Sequence, residues 1–135
     1  MRTTACLAAA LVVALAMAAC HGVTEPSSYP DDNFSGTLQP AGVAQKAFNV
    51  GSTGEMQMTL QSLTPAPQVG FLWMGVGQFS GSTCAPLTGY YTVQAPINQQ
   101  FSFSTITPGS YCMFVSDGNS VLKQATNFTL NTKHP

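Results

Sequence analysis

From Glu55 to Leu63 the chain reads EMQMTLQSL, and Met56, Met58 and Leu60 alternate with Glu55, Gln57, Thr59 and Gln61. A period of two is that of a strand with one face in a core and the other in water, because successive side chains of extended backbone point to opposite sides. The same alternation returns at Phe101 and Phe103 against Ser102 and Ser104, and at Phe128 and Leu130 against Asn127 and Thr129. Val69 to Val76 (VGFLWMGV) is apolar on both parities, as a central strand covered on both faces would be. Further runs at Phe34 to Leu38, Gln45 to Val50, Tyr90 to Ala95 and Ser110 to Ser116 bring the total to about eight short strands. No window in this part sustains a helical period with caps. Turn residues separate the runs: Gly51-Ser52-Thr53-Gly54, Pro108-Gly109 and Asp117-Gly118-Asn119. The expectation is an all-β fold over 33–135, a single antiparallel β-sandwich, with a length that suits one core and not two.

The N-terminal part obeys different rules. Cys6 to Ala19 is an unbroken apolar run behind Met1-Arg2. At about fourteen residues it is shorter than the roughly twenty that a membrane-spanning helix needs, so residues 1–19 read as a signal peptide. The tail Met17-Ala18-Ala19-Cys20 resembles the bacterial lipoprotein signal, with Met17 where that family favours Leu. The resemblance implies that Cys20 is acylated and becomes the first residue of an exported protein anchored by lipid. Two or more acyl chains on one residue give stable anchoring where one would not. Ordinary cleavage at Ala16-Met17-Ala18 is the alternative. In the sorting rule of those lipoproteins, an Asp after the cysteine retains the protein at the inner membrane. Here His21 follows, which implies the outer membrane where the host has one. His21 to Asp32 (HGVTEPSSYPDD) is too polar and Pro-rich to bury much apolar area, so 20–32 reads as anchor and spacer.

Of the four cysteines, Cys6 leaves with the signal and Cys20 takes the lipid, which leaves Cys84 and Cys112. In an oxidising compartment such a pair is most simply a disulfide, worth about 3 to 4 kcal/mol on the chain-entropy model. A metal site is the rival reading. It lacks a CxxC, and His21 and His134 stand at opposite ends of the mature chain, in terminal segments expected to be mobile.

The order of landmarks resembles the bacterial pre-peptidase C-terminal domain. A strand closes on Leu38, then come Lys46-Ala47-Phe48-Asn49-Val50 and a Gly turn, Met56 to Leu63 and a Pro-rich bend. Thr107-Pro108-Gly109-Ser110-Tyr111-Cys112-Met113-Phe114-Val115 and Asn127-Phe128-Thr129-Leu130 follow. The resemblance covers most of 33–133 and implies a jelly-roll-like sandwich. This chain departs from the family in carrying Cys84 and Cys112 and in having no peptidase beside it.

Charge is sparse: Lys46, Lys123 and Lys133 against Glu25, Asp31, Asp32, Glu55 and Asp117 after the leader. A nucleic-acid surface would need clustered Lys or Arg, so no nucleic-acid partner is expected. No GxGxxG or GxxxxGK cradles a phosphate, and no cofactor is implied. A Ser-His-Asp triad needs a histidine held by a framework. Asp31-Asp32 reads as a solvated pair of spacer charges, not as two acids across a cleft. Asp117 and Asn119, with Asp31 or Asp32, are weak candidates for a calcium site at one end of the sandwich. For binding, Trp73, Tyr90 and Tyr91 are the candidates, because aromatic rings give large contact area at low entropic cost. Strand parity sends one of Tyr90 and Tyr91 outward, while Trp73 sits in the doubly apolar run and reads as core. The expectation is a non-enzymatic module binding a protein or glycan at the cell envelope. A purely structural envelope lipoprotein is the alternative, with an accessory domain of a secreted hydrolase system behind it. An exposed aromatic cluster would favour binding, a uniform Ser/Thr/Gln surface the structural role, and His134 packed beside a buried Ser or Asp an enzyme.

Overall fold

The computed structural model describes residues 26–68 and 70–135. The signal peptide, Cys20 and the spacer through Glu25 lie outside the described residues. Eight strands follow a short 3-10 turn, Pro26–Ser28: β1 (Asp31–Leu38), β2 (Val43–Val50), β3 (Gly54–Thr64), β4 (Leu72–Ser80), β5 (Thr83–Ala95), β6 (Gln100–Ile106), β7 (Gly109–Ser116) and β8 (Thr126–Lys133). They form two four-stranded sheets, ordered β1-β8-β3-β6 (sheet I) and β2-β7-β4-β5 (sheet II), every pairing antiparallel. Every consecutive pair of strands except β4–β5 crosses from one sheet to the other, which is the jelly-roll order.

The core lies between the sheets and is built from the alternation. Met56, Met58, Leu60, Phe128 and Leu130 of sheet I face Met74, Val76, Tyr111, Met113 and Val115 of sheet II. Met56, Met58, Met74 and Met113 are fully buried, unbranched side chains that fill irregular gaps between twisted sheets. Phe34 and Phe128 meet edge to face at 5.0 Å, the arrangement aromatic quadrupoles prefer. Leu60 and Leu63 are three residues apart yet both buried. A register shift against β8 between Leu60 and Ser62 inserts the extra residue that returns Leu63 to the core face.

Several strands run beyond the sequence-based bounds, each for a physical reason. β1 begins at Asp31, so Asp31 and Asp32 belong to the sheet and not to a spacer. Asp31 pairs with Lys133 and Asp32 with Thr132, and the Lys46 and Lys133 ammonium groups sit on the two carboxylates. The Pro26–Ser28 turn packs against β3 with Pro26 buried, so the domain's framework reaches back to Pro26. β5 extends from Tyr90 back to Thr83 through Pro86 and Gly89. Those residues weaken a central strand, but β5 is an edge of sheet II, where a missing N–H costs no ladder bond.

Cys84 and Cys112 form the expected disulfide, closing 28 residues with Cα atoms 5.9 Å apart. The bond joins β5 to β7 across the intervening β4, on the outer face of sheet II. It crosses at Gly77, which pairs with Cys112 on one side and Pro86 on the other. A Cβ there would stand 2.8 Å from the Cys84 sulfur and closer still to the Ala85 carbonyl, so only glycine lets the bridge pass. Gln45 of β2 completes the clasp: its Nε2 donates to the Ser82 carbonyl at 2.6 Å, and its Oε1 accepts from the Cys84 N–H at 2.8 Å. The tip of the β4–β5 hairpin is thereby folded back across sheet II as far as its opposite edge.

Candidate binding surface

The two sheets present opposite chemistry to the outside. On sheet I the outward residues of β1 and β8 bond to one another. Ser35 Oγ meets Thr129 Oγ1 at 3.1 Å, Thr37 Oγ1 donates to Asn127 Oδ1 at 2.8 Å, and Asn131 Nδ2 donates to Asn33 Oδ1 at 3.0 Å and Asp31 Oδ1 at 3.1 Å. The Asn131 amide, followed by the Lys133 charge, holds the Asp31 carboxyl below the ordinary carboxylate value. Among the described residues, the large apolar side chains left exposed are Val43, Phe71, Phe79, Tyr91, Val93 and Ile97. All six belong to strands of sheet II or to loops that run directly from them.

The register of sheet II sets these residues in rows. Val43, Ser116 and Trp73 lie across three strands, with the Val93-Gln94 bulge of β5 opposite Trp73. Gln45, Phe114, Gly75 and Tyr91 form the next row. Trp73 is not part of the core between the sheets, contrary to the sequence expectation. Its parity is opposite to that of Leu72 and Met74, so it joins the outer cluster of Cys84, Cys112 and Phe114. A strand apolar on both parities announces cover on both faces without saying which face holds which residue. The β7–β8 loop sits on the indole at Gly118, and the Trp73 Nε1–H is buried with no hydrogen-bond partner among the described residues.

Parity divides the tyrosines as expected. Tyr91, 40% exposed, is on the open face. Tyr90 turns toward the other sheet, where its ring stacks on Phe103 and its hydroxyl donates to the Thr105 carbonyl at 2.6 Å. Tyr90 is therefore a brace between the β5 and β6 edges and not a contact residue. Of the three aromatic candidates, Trp73 and Tyr91 share a face and Tyr90 leaves it.

Asp117 and Asn119 do not come together with Asp31 or Asp32. The Asp117 carboxylate accepts from the N–H groups of Ala41, Val121 and Leu122 at 2.9, 2.7 and 3.2 Å. It orders two loops at the end of the sandwich where β1 finishes. Asn119 donates to the Phe71 carbonyl. Asp31 and Asp32 begin β1, at the opposite end. Among the described residues no group of three His, Cys, Asp or Glu is placed to hold a metal ion.

His134 packs against the sandwich, whereas its terminal position had implied a mobile segment. It is mostly buried, with its ring 4.7 Å from that of Phe48 and Nε2 3.7 Å from Asp32. Nδ1 faces the Pro135 carbonyl at 3.5 Å. Nothing local to His134 signals this contact, which depends on β1, β2 and the C-terminus meeting.

No family model matches this chain, and no curated protein does. The resemblance to the pre-peptidase C-terminal domain therefore reaches a generic antiparallel β-sandwich and stops there.

The ends of the sandwich also differ. β1 starts and β8 finishes at one end, since Asp31 pairs with Lys133 and Leu38 with Thr126. The chain thus enters and leaves on one side. The β3–β4 loop, the β5–β6 turn and the β7–β8 loop lie at the other. There two adjoining grooves open, of about 390 and 190 Å³, sharing Ala66 and Pro67.

Proposed function

We propose that the protein is an exported, lipid-anchored, non-enzymatic β-sandwich that binds a protein partner at the bacterial cell envelope through the outer face of sheet II. The observation that carries this reading is the segregation of exposed apolar side chains. A module with no ligand would gain nothing from leaving Tyr91, Val93 and Val43 open on one sheet while the other is closed by a Ser/Thr/Asn ladder. Tyr91 and Val93 stand together on the β5 edge, with Val43 on the opposite edge of the same sheet, and exposed apolar patches on small proteins mark interaction sites. Protein is favoured over glycan because the neighbours of Tyr91 in its row are Phe114 and Gly75. A sugar face needs polar groups to meet its hydroxyls, and that row offers few. The purely structural reading would call for a Ser/Thr/Gln surface all round, which only sheet I has. The anchor rests on Cys20 and the leader, and the topology suits it. A tether joined ahead of β1 leaves the loop end pointing away from the membrane.

Two measurements test the reading. A fatty-acid analogue labels the wild-type chain and not Cys20→Ser; equal labelling or none removes the anchor. A photo-crosslinking residue at 91 or 93 captures one discrete envelope protein, whereas the same residue at Ser35 or Thr129 captures none. Capture that is equal from both faces removes the binding face.

A further inference from the structure

The grooves at the loop end combine an apolar wall with a single exposed cation. The larger is lined by Pro65, Ala66, Pro67, Val121 and Leu122, with Lys123, Gln68, Gln124 and Thr126 around it. The smaller continues from Ala66 and Pro67 to Phe71, Leu72 and Ile97 and is mostly apolar. Gly70, at φ +84°, brings the two loops together: a Cβ there would collide with the Val121 side chain. The walls are thus held by backbone contact and by the Asp117 carboxylate that orders the Val121 and Leu122 amides.

Charge at this end is lopsided. Asp31, Asp32, Lys133 and His134 sit at the end where the chain enters and leaves, and they pair among themselves and with Lys46. Glu55 begins β3 on that same side. At the loop end Asp117 is 1% exposed and enclosed by three N–H donors. Lys123 is exposed there and has no ion pair among the described residues. An occupant of complementary chemistry is apolar along its length and anionic at one end. The grooves are open trenches in series and not an enclosed cavity, so they suit successive side chains of an extended peptide better than a single buried tail.

Resting on the reading of this protein as a binding module, we infer that the loop-end trench receives the apolar C-terminal segment of a partner protein, with its terminal carboxylate against Lys123. The last side chain fills the larger groove and the preceding one the smaller. The Lys123 ammonium supplies the charge for the carboxylate, and Gln68 and Gln124, which line the same groove, offer amide donors. Recognition of a C-terminus in this way selects for the end of a chain and not for an internal stretch of the same composition.

The test uses the full chain in lipid nanodiscs, ¹⁵N-labelled, titrated with N-acetyl-Leu-Val-Phe as the free acid and as its C-terminal amide, with dodecanoate as a third probe. Shifts are expected at Ala66 to Gln68 and Val121 to Gln124. An exposed ion pair is worth little, so the acid should bind about three- to fivefold tighter than the amide at low salt, with the gap narrowing as salt rises. Lys123→Met should abolish that gap, so that acid and amide bind alike. Equal affinities for acid and amide in the wild type, or a gap that survives Lys123→Met, overturn the assignment. Tighter binding of dodecanoate at the same residues also overturns it, giving the trench to a lipid. Crosslinking from 91 or 93 reports separately on the sheet II face. Crosslinks there without peptide binding at the trench sink this inference alone, and their absence sinks the broader reading.

Discussion

The outer faces of sheets I and II are made from strands of equal regularity, yet one is closed and the other open. On sheet I, Ser35 pairs with Thr129, Thr37 with Asn127 and Asn33 with Asn131 across β1 and β8, so the face needs nothing but water. On sheet II, Cys112, Phe114 and Trp73 are apolar and point away from the core. The chain covers them with its own hairpin tip and the Gly118 turn, then leaves Val43, Tyr91 and Val93 beyond that cover. An outward apolar residue in a sandwich has two fates, a satellite core under a folded-back loop or an open contact surface. Both fates occur on one sheet here. The disulfide marks the boundary between them.

The largest effect should come from undoing the cover on sheet II. Replacing Cys84 and Cys112 together by Ser removes a cross-link around 28 residues, for which loop entropy gives a loss of about 3.5 kcal/mol. Urea denaturation of the full chain checks it, and the same loss should follow reduction of the wild type under denaturing conditions. Gln45→Ala breaks the two bonds to Ser82 and Cys84 and should cost about 1 to 2 kcal/mol. If the clasp and the disulfide hold one hairpin tip, the two losses will not add, because the freed tip no longer presents its groups to Gln45. Strict additivity would mean that the tip is held elsewhere.

Trp73 sharpens the comparison at a smaller scale. Its Nε1–H is buried without a partner among the described residues, a cost of about 1 to 3 kcal/mol that Phe would not incur. Trp73→Phe should therefore lie within about 1 kcal/mol of wild type, whereas Trp73→Ala empties the outer cluster and should lose about 3 kcal/mol or more. Denaturation midpoints of the two variants decide this. A Phe variant as damaged as Ala would show that the indole N–H contributes a bond.

The sequence disclosed sheet I better than sheet II for the reason that separates their faces. Alternation is legible only where one parity is polar, so β3, β6 and β8 could be placed to within a residue or two. In β4 both parities are apolar, and the assignment of Trp73 to the inner or outer cluster depended on which neighbour β4 acquired. The first half of β5 was hidden by Pro86 and Gly89, whose presence in a strand makes sense only once β5 is an edge. The disulfide was readable from cysteine number and compartment, but its crossing at Gly77 was not. Asp31 and Asp32 looked like a spacer because charges are scarce in strands, and their partners Lys46 and Lys133 lie on distant segments. The loop-end trench left the least trace, since prolines and Lys123 become a groove only when three connections meet.

The smallest effect belongs to Asp31, on the edge of the polar face. Its carboxyl is held below its usual value of 3.8 by the Asn131 amide and then by Lys133. A group with a depressed folded pKa binds fewer protons folded than unfolded, so its stabilisation is present above the unfolded pKa and is lost as pH falls through the folded one. Wild type should therefore exceed Asp31→Asn in melting temperature at pH 7. The difference should fade below pH 3.8 and shrink with added salt, since Asp31 is exposed and Lys133 only partly buried. Sheet II carries no carboxylate on its outer face, so Trp73→Phe should show no matching acid-dependent difference. An Asp31→Asn gap that persists unchanged to pH 2 would mean that Asn131 recognises the side chain's shape and not its charge.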